Sequence, residues 1–180
     1  MIRLFVGIDL PYAVRRDLYS ICYGMPRVKW VKEEQLHLTL RFIGEVDDSL
    51  FADIRGSLKD VRMDAFSIKL KGLGYFPPRK NPRVLWVGME PQGSMTILRN
   101  RVESVLVKIG LEPERRKFSP HITIARLKDA PISKVARFLE EHCLFSTTAF
   151  PVSDFYLYSS ILTPKGAIHK VEAIYDLTVS

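Results

Sequence analysis

Apolar and polar positions along the chain follow two different periods, and each change of period marks a new element. Residues 2–9 are largely apolar and β-branched and predict a first strand, after which Pro11 opens a helix that runs to about Cys22. Residues 36–43 (Leu-His-Leu-Thr-Leu-Arg-Phe-Ile) alternate with period two, the pattern of a half-buried strand, and Gly44 is its expected stop. Asp47 and Asp48 are N-cap candidates for a helix that carries Leu50, Phe51, Ile54 and Leu58 on one face. Two strands are predicted near 65–74 and 83–89, joined by a segment with three prolines and the basic residues Arg79 and Lys80. Leu98, Val102, Val105 and Ile109 recur at helical spacing, so a helix is predicted over 94–109, with Gly110 ending it. Residues 118–126 alternate again. Pro131 then starts a helix with Ile132, Val135 and Leu139 inward, and strands near 150–161 and 167–178 complete the pattern.

This series repeats itself. His37 is followed by a helix and two strands that begin near 47, 66 and 84; His121 is followed by the same elements near 131, 150 and 168. The matched offsets predict one unit over 1–180 formed by an internal duplication, with residues 90–94 as the expected crossing point between its lobes. Strands and helices mix without strict βαβ alternation, which predicts an α+β fold with antiparallel sheets.

Composition narrows the field further. The chain has 180 residues, 47% of them apolar, enough to bury a core without disulfide staples. Its two cysteines, Cys22 and Cys143, form no C-x-x-C motif and are expected to be reduced and at least partly buried, as in a cytoplasmic protein. No apolar run approaches the roughly 18 residues of a membrane span. The N-terminal run meets Asp9 too early to read as a signal peptide. A formal net charge of +7 favours phosphate-bearing partners by raising their local concentration.

The chemistry-bearing residues lie on the two alternating strands. One carries His37-Leu38-Thr39-Leu40, the other His121-Ile122-Thr123-Ile124. Residues i and i+2 of a strand share a face, so each strand offers an imidazole beside a hydroxyl, with the apolar residues between them turned to the core. Histidine is the side chain that gives and takes protons near neutral pH. Displacement at phosphorus needs a base on the entering oxygen and an acid on the leaving one, placed in line on opposite sides. Two facing histidines meet that requirement, and two threonine hydroxyls can hydrogen-bond the non-bridging oxygens. A single such motif would weigh little, because an isolated strand histidine is most often structural; two copies in equivalent places weigh much more. His142, at a helix end, and His169, in the last hairpin with no threonine two residues on, read as structural. Zinc wants three or four close ligands, and neither motif offers a second one at metal spacing, so no metal and no cofactor are expected.

Two H-[apolar]-T-[apolar] motifs resemble the signature of the 2H phosphoesterases. Phe5-Val6-Gly7-Ile8-Asp9-Leu10-Pro11, His37 to Val46, Leu85 to Met89 and Pro120 to Arg126 resemble in particular the RNA 2′,3′-cyclic phosphodiesterase branch, formerly called 2′-5′ RNA ligase. The resemblance implies two pseudo-twofold-related lobes, each an antiparallel sheet with outer helices, around a central cleft. It implies metal-independent hydrolysis of a terminal 2′,3′-cyclic phosphate to a 2′-phosphate, with RNA ends as substrate, His37 as acid and His121 as base. It also implies that Arg126, five residues after the second histidine, binds phosphate, as a guanidinium can with paired hydrogen bonds. Strict alternation puts Arg126 on the face opposite His121, so a bulge, a strong twist or the strand's end is needed to bring it round. Arg41 shares the face of His37 and Thr39 under simple alternation and is a second candidate. Phe42 holds in the first motif the place of Arg126 in the second and could stack on a base, with Phe5, Phe76 and Tyr158 as further stacking candidates for which core packing is the commoner role.

Two other readings use the same residues. One is ATP-independent joining of RNA ends through a 2′-5′ bond, the reverse chemistry. The other is a nucleotide- or RNA-binding module without turnover, against which both intact histidine–threonine pairs weigh. The expected molecule is a monomer with no membrane partner.

Overall fold

The computed structural model describes residues 1–77, 81–164 and 166–178; the Arg79–Lys80 segment lies outside them. Among the described residues the strands are β1 (Ile2–Ile8), β2 (Val28–Trp30), β3 (Leu38–Val46), β4 (Phe66–Phe76), β5 (Val84–Glu90), β6 (Ile122–Leu127), β7 (Phe150–Val152), β8 (Asp154–Thr163) and β9 (Gly166–Asp176). The helices are α1 (Tyr12–Tyr19), α2 (Asp48–Ser57), α3 (Gly93–Lys108) and α4 (Ile132–Glu141). None of them is long and apolar enough to cross a membrane.

The strands form two antiparallel sheets, ordered β3-β1-β8-β9 and β2-β6-β5-β4-β7. The molecule is an α+β protein of two lobes about a cleft, each lobe built on one sheet. Helices α2 and α3 lie behind the first sheet: α3 packs on β3, and Tyr175 of β9 donates its hydroxyl to the Arg55 carbonyl of α2 at 3.0 Å. Behind the second sheet, Phe138 of α4 packs on Trp30 of β2 with ring centres 5.6 Å apart.

Most of the anticipated elements are present, and their local causes are visible. Asp47 caps α2, its carboxylate accepting from the Leu50 amide at 2.8 Å, and Ile54 and Leu58 are fully buried below it. In α3, Leu98 and Val102 are buried as the spacing predicts, joined by Met95 and Leu106. Strand β2 was not anticipated, because three residues give too little alternation to read. Ile132 does not turn inward: it is 51% exposed in the first turn of α4, while Val135 and Phe138 take the buried positions. Cys22 is buried, and burial pushes its thiol up to about 12; Cys143 is exposed, against the expectation for it. Gly44 does not end β3. It sits inside the strand at φ 94°, beside a bulge, and pairing continues to Val46.

Residues 90–94 lead from β5 of the second sheet to α3, which packs on β3 of the first, and the chain then returns to β6 beside β5. The chain crosses between sheets from β1 to β2, from β2 to β3, from β3 to β4 and from β7 to β8. The β4–β5 hairpin of the first half thus completes the sheet of the second histidine strand, and the β8–β9 hairpin of the second half completes the sheet of the first.

Candidate active site

His37 and His121 each stand one residue ahead of a strand, β3 and β6 respectively. Both rings are held in the same way. Nδ1 of His37 lies 2.7 Å from the Gln35 carbonyl oxygen, and Nδ1 of His121 lies 2.7 Å from that of Ser119. A carbonyl oxygen only accepts, so Nδ1 carries the hydrogen in both rings and Nε2 is left as the proton-exchanging atom. Leu38, Leu40, Ile122 and Ile124 are buried as the alternation predicts. Thr39 and Thr123 follow their histidines at half-buried positions.

Aromatic side chains wall each imidazole. The His37 ring centre is 4.8 Å from that of Phe5, which stacks at 4.9 Å on Tyr158. The His121 ring meets Phe76 edge-on at 5.1 Å and lies 6.3 Å from Trp86. Phe5 and Tyr158 are almost wholly buried, so they support His37. Trp86 was not singled out in the sequence, since a tryptophan in a strand reads as core. Its indole lies over Gly74, where a Cβ would come within 2.2 Å of the ring.

Strand register decides which of the other candidates share this face. On β1, Phe5 and Gly7 point the same way; their partners on β3 are Phe42 and Thr39, with a register shift between them. A bulge at Leu40–Arg41 therefore puts Phe42 on the face of Thr39 and turns Arg41 away. The second sheet repeats the device. Val84 and Trp86 of β5 point the same way, and their partners on β6 are Arg126 and Thr123, again with a shift between them. The bulge at Ile124–Ala125 brings Arg126 round to the face of Thr123, which simple alternation had denied it.

Arg41 is committed elsewhere. Its Nε lies 3.0 Å from Glu103 of α3, its Nη1 lies 3.2 Å from Glu114, and its Nη2 donates to the Glu112 carbonyl at 2.6 Å. The guanidinium braces β3 against α3 and the segment after it. Phe42 is 65% exposed, with its ring centre 6.0 Å from Phe5.

His169 lies with the site, not apart from it. It pairs with Ser160 on the face of Tyr158, and its ring stands 5.1 Å from His37 and 5.0 Å from Phe5. Only the β8–β9 hairpin brings it there, so nothing near it in the sequence signals the contact. Its buried Nδ1 has no hydrogen-bond partner among the described residues, and burial lowers its pKa. His142 caps the end of α4 and packs on Phe138.

Burial dominates the electrostatics of His37 and pulls its pKa down to about 4; the Gln35 carbonyl opposes that shift and His169 adds to it. His37 is therefore neutral at pH 7 in the unliganded protein. Among the described residues no group of three or more His, Cys, Asp and Glu side chains is placed to hold a metal ion.

The LigT-like phosphoesterase family model matches this chain twice, over residues 8–86 and 87–169. An RNA 2′,3′-cyclic phosphodiesterase of Archaeoglobus fulgidus is 36% identical over 97% of this chain and 99% of its own. One of Aeropyrum pernix is 40% identical over 82% of this chain and 84% of its own. Among solved structures, a Thermus thermophilus protein superposes with a TM-score of 0.80 at 28% identity, and Escherichia coli LigT in complex with 3′-AMP with 0.78 at 27%, each covering 98% of both chains.

Proposed function

This chain belongs to the LigT-like (2H) phosphoesterase family, and from that membership we propose that it hydrolyses the terminal 2′,3′-cyclic phosphate of RNA to a 2′-phosphate, with His37 and His121 as the proton-transferring pair. The observation that carries the reading is the matched tethering of the two rings. Each Nδ1–H is fixed on the carbonyl two residues upstream, and each Nε2 is left to exchange a proton. The relatives named RNA 2′,3′-cyclic phosphodiesterase and the 3′-AMP complex of a structural neighbour support a ribonucleotide end as the ligand.

In the reaction a water oxygen bonds to phosphorus while Nε2 of His121 takes its proton. The P–O3′ bond breaks in line, and the departing O3′ receives a proton from Nε2 of His37. Thr39 and Thr123 hydrogen-bond the non-bridging oxygens, and Arg126 adds a guanidinium from the second lobe. Phe42 offers an open ring to the terminal base. We assign Arg41 to bracing and not to phosphate. His37 enters neutral, so it must gain its proton together with the substrate, whose negative charge offsets burial.

We also read the chain as one bilobal unit that arose by internal duplication. The doubled family match and the paired tethers and bulges support this.

The test is an oligonucleotide ending in a 2′,3′-cyclic phosphate, assayed for its 2′-phosphate product. His37→Ala and His121→Ala are each expected to remain folded and to lose at least about 10²-fold in kcat, with a double variant little worse than either single. Full activity in either folded single variant overturns the assignment.

A further inference from the structure

Arg126 is one of four cations gathered at one corner of the second sheet. On β2, Lys29 pairs directly with Arg126 of β6, so the two side chains share the face that carries Thr123. Arg27 and Lys128 stand at the adjoining strand ends, joined by the Lys128 amide donating to the Arg27 carbonyl at 3.1 Å. These four residues line an open groove of about 610 Å³, floored by Val28 and Leu127, with Asp129 as its one acidic residue.

Clustering on one groove sets this corner apart. Other cations of the protein are neutralised by carboxylates, as Arg15 is by Asp9, Lys69 and Lys71 by Glu90, Arg137 by Glu141 and Lys170 by Glu172, or stand apart from such a groove. Among the described residues, Arg27, Lys29, Arg126 and Lys128 have no ion pair and no side-chain hydrogen bond, although all four are exposed. Four uncompensated positive charges along one groove repel one another and favour a ligand with several negative charges in a row.

A second cavity, about 420 Å³ beside Arg62 and Arg101, fits the chemistry less well. Both of those guanidiniums already donate to backbone carbonyls, and neither histidine nor its threonine lines the cavity.

We propose that Arg27, Lys29 and Lys128 form a backbone track for the RNA strand on the 5′ side of the reacting nucleotide, continuing from Arg126 across β6 and β2 to the sheet's edge. This rests on the cyclic phosphodiesterase reading for its direction. A 2′,3′-cyclic phosphate is by nature the 3′ end of its strand, so the chain leaves the cleft on one side only, and a track on one lobe serves it. The contacts are to phosphates and are indifferent to base identity. The track makes the protein prefer a polynucleotide end over a cyclic mononucleotide.

The test uses a triple variant, Arg27→Ser, Lys29→Ser and Lys128→Ser, which leaves Arg126 and both histidines in place. A control triple, Lys59→Ser, Lys108→Ser and Lys134→Ser, removes the same charge from exposed positions elsewhere. Binding of a fluorescent decanucleotide ending in a 2′-phosphate is read by anisotropy across a salt series, and turnover is read on 2′,3′-cyclic AMP and on the matching cyclic-ended decanucleotide. In the track variant the decanucleotide is expected to bind at least tenfold more weakly. The slope of log affinity against log salt should become shallower by about 2, since each single-strand phosphate contact contributes about 0.7. Cyclic AMP turnover should be unchanged, and the control triple should bind like the parent. Parental decanucleotide binding in the track variant overturns the proposal, as does an equal loss in the control. If the parent turns over neither cyclic phosphate while the track variant still loses decanucleotide binding, the track stands and the phosphodiesterase reading falls.

Discussion

His37 differs from an ordinary surface histidine because its ring is half-buried among Phe5, Tyr158 and His169. With its pKa held at about 4, against 6.5 in the unfolded chain, the unfolded state takes up the proton first as pH falls. Stability from this residue is complete above about pH 6.5 and is lost on the way down to about 4, by up to roughly 3 kcal/mol. Urea unfolding at pH 7 and pH 4.5 should show a loss that shrinks in His37→Gln. Binding a nucleotide 2′-phosphate should move the His37 titration upward when followed by imidazole NMR; an unmoved titration would rule out proton uptake with the substrate. At this scale the sequence disclosed the pair of histidines and their threonines, because period two alone sets which residues share a face. It did not disclose His169, whose approach to His37 depends on a hairpin folding back from the far end of the chain.

Each histidine strand carries an extra residue shortly after its threonine, and that residue reassigns the side chains beyond it. Parity counted along β3 and β6 fails at the bulges, which is why simple alternation made Arg41 a second candidate and set Arg126 against the phosphate role its resemblance implied. The two arginines should therefore separate cleanly. Arg126→Ala is expected to lower kcat/KM by about 10²–10³ with little change in Tm, as for loss of one charge-stabilising donor. Arg41→Ala leaves Glu103, only 13% exposed, without its closest cation, and is expected to cost about 2–3 kcal/mol. That corresponds to a fall in Tm of roughly 5–10 °C for a chain of this length, with kcat nearly intact, read by calorimetry and steady-state kinetics side by side. A bulge leaves no mark in composition, and the glycine at Gly44 pointed to an end of strand where the structure has an irregularity within it.

Over the whole molecule, element spacing gave the duplication pattern and the α+β class but not the exchange of hairpins between halves, because spacing says nothing of which strand lies beside which. Each sheet draws strands from both halves, so neither half has a complete core. Fragments 1–90 and 91–180 are each expected to be largely unfolded by circular dichroism and to recover a cooperative transition only when mixed; a separately folded fragment would contradict the interleaving. Pairings this distant in sequence also predict slow folding for a chain of this size.

The four passages of the polypeptide between the sheets also limit motion. Two bodies sewn together at so many points resist swinging on a hinge, which favours a cleft of set calibre over one that closes round its contents.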